Sequence, residues 1–128
     1  MNAHTKRLAF ASAVAVALVG ITGPASAAGR DSWAYTDPNT YGTAIWYGNT
    51  DTFEVCDTDP DGYAVQGRVW TKADKSDMQK ELDGGDSGCD RLSFNKPAGT
   101  TVYIQICRYN SASGAAWGCG TTGRGDAS

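Results

Sequence analysis

The sequence predicts an all-β protein: a small two-sheet antiparallel β-sandwich held by two disulfides. Three observations predict it. Apolar residues recur with period two over short runs rich in β-branched and aromatic side chains. Turn residues, 16 glycines among them, separate those runs. Four cysteines, Cys56, Cys89, Cys107 and Cys119, make an even set in a short chain, which is the usage of disulfide-stapled exported domains. No two of them have the spacing of a zinc knuckle or a redox motif.

Residues 1–27 read as a signal peptide. Lys6 and Arg7 precede an apolar run at 8–21, and Pro24 with Ala25-Ser26-Ala27 follows it. That run of 14 residues is short for a bilayer span and ends in a cleavage pattern. Removing residues 1–27 leaves 101 of 128 residues, enough for one domain, and moves the net charge from −3 to −5. The expected product is secreted, extracellular and monomeric, with no membrane association. Its acid excess and the absence of a basic stripe argue against a nucleic-acid partner. The one histidine, His4, lies within the signal. The mature chain therefore lacks the side chain most used for proton transfer near neutral pH and for zinc, and no enzymatic activity is expected.

The strands follow in order over a domain at 28–119. SWAYT (32–36) and TAIWYG (43–48) are short aromatic runs. FEVC (53–56) alternates, with Phe53 and Val55 inward and Glu54 and Cys56 outward. YAVQGRVWT sets Tyr63, Val65 and Val69 against Gln66, Arg68 and Trp70. SDMQKELDGG (76–85) fits a short helix capped by Ser76, or an exposed strand with Met78 and Leu82 on one side; its neighbours favour the strand. RLSF (91–94) is a further short run, and TVYIQICRY (101–109) puts Val102, Ile104 and Ile106 on one face. The tail at 120–128, GTTGRGDAS, has no apolar anchor and is expected to be flexible.

Four cysteines allow three connectivities. The pairing Cys56–Cys89 and Cys107–Cys119 is preferred, because each bridge then closes a glycine-rich polar loop between strands. Loops of that size contribute roughly 3–4 kcal/mol each.

Five stretches bear on function. Asp57, Asp59 and Asp61 alternate before Gly62 and could supply calcium with oxygen ligands. An EF-hand is excluded, since its twelfth position falls on Arg68 and Pro60 stiffens the loop. A looser calcium site would need Asp83, Asp86 or Asp90 to fold back, as a Cys56–Cys89 bridge would allow; the alternative is a solvated turn. Gly85-Asp86-Ser87-Gly88 resembles the nucleophile motif of trypsin-like proteases, but no histidine accompanies it, so it reads as a loop. Carboxylate pairs arise by chance among 14 acids. Arg124-Gly125-Asp126 spells the tripeptide that integrins read, in a tail where chance matches are common. The aromatics are numerous, and Trp70, Tyr103 and Tyr109 fall opposite the Val and Ile rows. They form either an exposed binding face or part of a second inner face.

The segments TDPNTYGTAIWYGNTDTFEVCDTDPDGYAV and NKPAGTTVYIQICRYN, with the cysteine spacing, resemble a family of small secreted two-disulfide actinobacterial proteins over roughly residues 33–119. The resemblance implies a secreted all-β domain and carries no activity or site residue with it. A second comparison is with the two-disulfide amylase inhibitors, which block their enzyme through a Trp-Arg-Tyr turn. Here Ile45-Trp46-Tyr47 and Cys107-Arg108-Tyr109 occur without that tripeptide. The expected function is a non-enzymatic binding or interaction module for an extracellular protein or polysaccharide. A calcium-binding structural protein and an inhibitor of a secreted hydrolase are the alternatives.

Overall fold

The structure, a computed structural model, describes residues 28–84 and 87–128. The expected signal segment, 1–27, lies outside the described residues, as do Gly85 and Asp86. Among the described residues the chain is all β. Its strands are β1 (Ser32–Tyr35), β2 (Gly42–Tyr47), β3 (Thr52–Asp57), β4 (Ala64–Trp70), β5 (Gln79–Asp83), β6 (Cys89–Ser93), β7 (Thr101–Asn110), β8 (Ala115–Trp117) and β9 (Gly123–Asp126). Two antiparallel sheets result. The first has the order β1-β2-β3-β6; the second has β5-β4-β7-β8, with β9 also paired to β7.

The period-two pattern explains the core. Trp46, Phe53 and Val55 of the first sheet meet Val65, Val69, Val102, Ile104 and Ile106 of the second, and all are buried. Each such burial contributes about 1.5–3 kcal/mol. The interleaved rows together therefore outweigh the two bridges, which are worth roughly 3–4 kcal/mol each. Those bridges are Cys56–Cys89 and Cys107–Cys119, as the loop argument prefers. Their presence is the mark of an oxidising environment.

Two expectations need correction, the frayed tail and the inward Tyr63, and two others, the 76–85 strand and the outward Glu54, hold with a qualification. The tail at 120–128 is not frayed, and the domain runs past 119 to Ser128. Gly123–Asp126 pairs with β7, Arg30 and Asp126 exchange backbone hydrogen bonds of 3.0 Å, and Ala127 is buried. The anchor is mainly backbone, with Ala127 as its one apolar side chain in the core, which is why hydropathy misses it. Trp46 Nε1 donates to the Asp126 carbonyl at 3.1 Å, and a Cβ at Gly125 would stand 2.6 Å from Trp46 Cδ1. Arg124-Gly125-Asp126 is therefore part of a strand, with Asp126 ion-paired to Arg30 at 3.2 Å.

The 76–85 segment is a strand only over Gln79–Asp83. Met78 precedes it, Leu82 is exposed, and the residue that turns inward is Asp83. Tyr63, assigned inward with Val65, is exposed and packs edge-on against Trp117 at 5.2 Å. It precedes β4 and so escapes the alternation. Glu54 does face outward but is buried, because the Tyr47 hydroxyl donates to it at 3.0 Å and Arg91 pairs with it.

If β9 closes the sandwich, Gly125→Val must push the strand off Trp46. Overpacking costs about 1–3 kcal/mol, so thermal melting should fall by at least about 4 °C in a domain of this size. Deleting residues 121–128 should cost more, and an unchanged melting curve for both would show that β9 is dispensable.

Candidate functional site

The aspartate stretch is a turn in this structure. Asp57 Oδ1 accepts the Asp59 N–H at 3.1 Å, and Asp61 Oδ1 accepts the Tyr63 N–H at 2.9 Å. Asp61 Oδ2 takes Arg108 Nη2 at 2.6 Å. Of the aspartates that a looser calcium site would need, Asp83 lies close: the Asp57 N–H donates to Asp83 Oδ2 at 2.6 Å. The donors nonetheless serve separate partners and do not converge. Among the described residues the one group of metal-type donors that does converge is Glu54, Cys56 and Cys89, whose two sulfurs are spent on their disulfide. Burial pushes the Asp57 carboxyl above its ordinary value, with Asp61 and Asp59 adding repulsion. Burial acts the same way on Asp61, but the Tyr63 N–H and Arg108 outweigh it and hold that carboxyl low.

Arg108 is the partner that sequence reasoning overlooked. Its guanidinium lies 3.7 Å from the Tyr41 ring centroid, 5.0 Å from Trp117 and 5.4 Å from Tyr63. Cation–π contacts and the Asp61 carboxylate thus clip the 57–63 loop to the β7–β8 hairpin.

Trp70, Tyr103 and Tyr109 sit on β4 and β7, on the outer face of the five-stranded sheet. They are not an open aromatic platform. Trp70 is only 5% exposed. Tyr103 stacks on it at 6.0 Å with an interplanar angle of 20°, and Lys75 Nζ lies 4.8 Å from its ring centroid. Tyr103 and Tyr109 are half-buried. The β4–β5 loop folds back because Asp77 gathers it. The Asp77 carboxylate accepts the backbone N–H groups of Thr71 and Lys72 at 3.1 and 3.2 Å, the Thr71 hydroxyl, and Lys96 Nζ at 3.1 Å. Burial opposes that charge, yet the donors outweigh it and hold the carboxyl well below the usual carboxylate range.

The open aromatic surface lies on the other sheet. Trp33 is 51% exposed and Tyr35 48%, while Ser32, Ala34 and Thr36 turn inward. Small residues inside and large aromatics outside is an inverted alternation, and it was visible in SWAYT as a signal that these two rings are not core. They lie two residue steps apart along the strand, about 6.8 Å. Register continues the face through Ile45 opposite Trp33 and Thr43 opposite Tyr35.

Beside this pair runs a groove of about 770 Å³, with Trp33, Tyr35, Asp37 and Asn39 on one wall and Thr121 and Thr122 on the other. β1 is the outer strand of its sheet. Thr36 N–H bonds to Gly42 O at 3.2 Å. By antiparallel alternation, the backbone groups of Trp33 and Tyr35 therefore point away from β2, toward the groove. Gly120 lets the far wall come this close, since a Cβ there would overlap the Tyr35 carbonyl oxygen. The Thr36 hydroxyl donates to Pro38 O at 2.7 Å and accepts the Tyr41 and Gly42 N–H groups at 3.2 Å, which fixes the turn at the groove's end. Two rings, hydroxyls and amides in a shallow channel suit a ligand with alternating apolar and hydroxylated faces.

Asp77 gives a pH test of the fold around Trp70. A carboxyl held below its ordinary value adds stability that is complete above about pH 4 and is lost as pH falls toward the depressed value. Asp77→Asn should therefore cost about 1–3 kcal/mol in denaturant unfolding at neutral pH. The gap to the wild type should close in acid, and a gap independent of pH would contradict the assignment. Compared with protein-family models, with curated proteins and with solved structures, the chain finds no match.

Proposed function

We propose that the protein is a secreted, non-enzymatic binding module that takes an extracellular polysaccharide along the β1 groove. The observation that carries this reading is the exposed Trp33–Tyr35 pair on a rigid strand beside an open channel. Aromatic rings bind the apolar faces of sugar rings, while Asp37, Asn39, Thr121 and Thr122 offer polar partners for hydroxyls. The signal-like segment and the two disulfides support export. So does the resemblance to small secreted actinobacterial proteins. An inhibitor would more naturally present its aromatics on a protruding loop, whereas these lie on a sheet face.

Affinity electrophoresis in gels containing neutral polysaccharides tests the proposal, with intrinsic tryptophan fluorescence giving the affinity. Trp33→Ala and Tyr35→Ala should each weaken binding by about tenfold, a loss near 1.4 kcal/mol, with melting lowered only slightly because both residues are about half exposed. Retardation that survives the double substitution would overturn the site. Inhibition of a secreted hydrolase that depends on Trp33, without any retardation by glycans, would replace this reading with the inhibitor one.

A further inference from the structure

The mature chain carries nine basic residues and no basic run, yet the strand register gathers four of them. Arg30, Arg91, Lys96 and Arg108 are in ion pairs with acids. Arg68, Lys72, Lys75, Lys80 and Arg124 are in none of the ion pairs formed among the described residues, and four of these five, Arg68, Lys75, Lys80 and Arg124, meet on the outer face of the five-stranded sheet. Arg68 of β4 stands directly opposite Lys80 of β5. In the next row Trp70 stands opposite Tyr103, and Tyr103 opposite Arg124 of β9. Lys75 reaches over Trp70 from the adjoining loop. Gly123 and Gly125 point to the core, which fixes Arg124 outward. From Lys80 to Arg124 the face spans three strand spacings, about 14 Å.

Like charges set opposite each other across strands destabilise a sheet. Arg68 Nε donates to the Gln66 side chain at 3.1 Å, a neutral partner. Three neighbouring acids have partners of their own, Asp126 with Arg30, Asp77 with Lys96, and Asp74 with the Ser76 N–H, and Glu81 of β5 pairs with Gly67 in a row that faces the other sheet. Leu82 and Gln105 complete the face without negative charge. A chain with surplus acid thus keeps one flat cationic surface, on the sheet opposite the aromatic groove.

We propose that this face is a second binding site, for a linear anionic glycan bearing carboxylates or sulfates. Charge complementarity selects an anion, and four cations spread across the strands select an extended one. Single-stranded nucleic acid fits less well, because base stacking needs open rings and Trp70 is covered by Tyr103 and Lys75. The inference is independent of the groove reading, since it uses none of the groove's residues.

The test is retention on immobilised dextran sulfate and polygalacturonate, with neutral dextran and duplex DNA as comparison matrices, eluted by increasing salt. The wild type should be retained on both anionic glycans and released by salt, as counterion exchange requires. Arg68→Gln with Lys80→Gln should about halve the salt dependence, removing two of four cations. The same double variant should melt no lower than the wild type, because it relieves a like-charge pair; loss of retention with intact melting separates binding from misfolding. Trp33→Ala should leave retention unchanged. Passage of the wild type through both anionic matrices would overturn the proposal, as would retention untouched by the double substitution. Stronger retention on DNA would overturn the choice of glycan.

Discussion

The fold depends on closing the space beside Trp46 with a strand that turns only glycines inward. Trp46 is fully buried, sits edge-on to Phe94 with centroids 6.4 Å apart, and donates its indole N–H to the Asp126 carbonyl. β9 covers the ring with backbone alone, Gly125 lying against the indole. The same strand pairs with β7 on one side and with Arg30 on the other. One open side of the sandwich is thereby closed, which protects edges that would otherwise invite pairing with another chain.

Covalent and polar ties hold the remaining margins. Cys56 and Cys89 are direct partners across β3 and β6, so their bridge fastens the outermost strand of the first sheet to its neighbour. Cys107–Cys119 fastens the chain leading into β9 to the central strand β7. At the end of the sandwich, Arg108 packed among Tyr41, Tyr63 and Trp117 holds two loops together. The aspartate-rich turn belongs to this clip through Asp61, and the acidic spacing serves loop geometry there. Domains of about 100 residues bury little surface for their length, and such ties supply order where the core cannot.

With the interior and margins secured, the two outer faces are free to differ. One presents Trp33 and Tyr35 beside a channel; the other presents Arg68, Lys75, Lys80 and Arg124 around a covered tryptophan. Trp33, Tyr35, Arg68, Lys80 and Arg124 ride on strands paired into the two sheets, and Lys75 is held over Trp70 from a loop. Separation of the two faces by the thickness of the sandwich would let one polymer be held on each side.

What the sequence determined by itself is the class of the fold and much of its interior. Period-two alternation in TVYIQICRY and FEVC marks Val102, Ile104, Ile106, Phe53 and Val55 as core, because alternation is a local property of each strand. The cysteine pairing was legible too, since each bridge closes a loop evident in the chain. The site was legible only in part: SWAYT carries its inverted alternation openly, but which face of the protein it lies on is not a local property. Tertiary structure alone decided that Trp70 is covered by a loop that Asp77 folds back, and that the glycine-rich tail is a strand. It also decided that cations scattered from 68 to 124 share one face. Those outcomes rest on strand order, register and backbone contacts between residues far apart in the chain, and no local pattern encodes them.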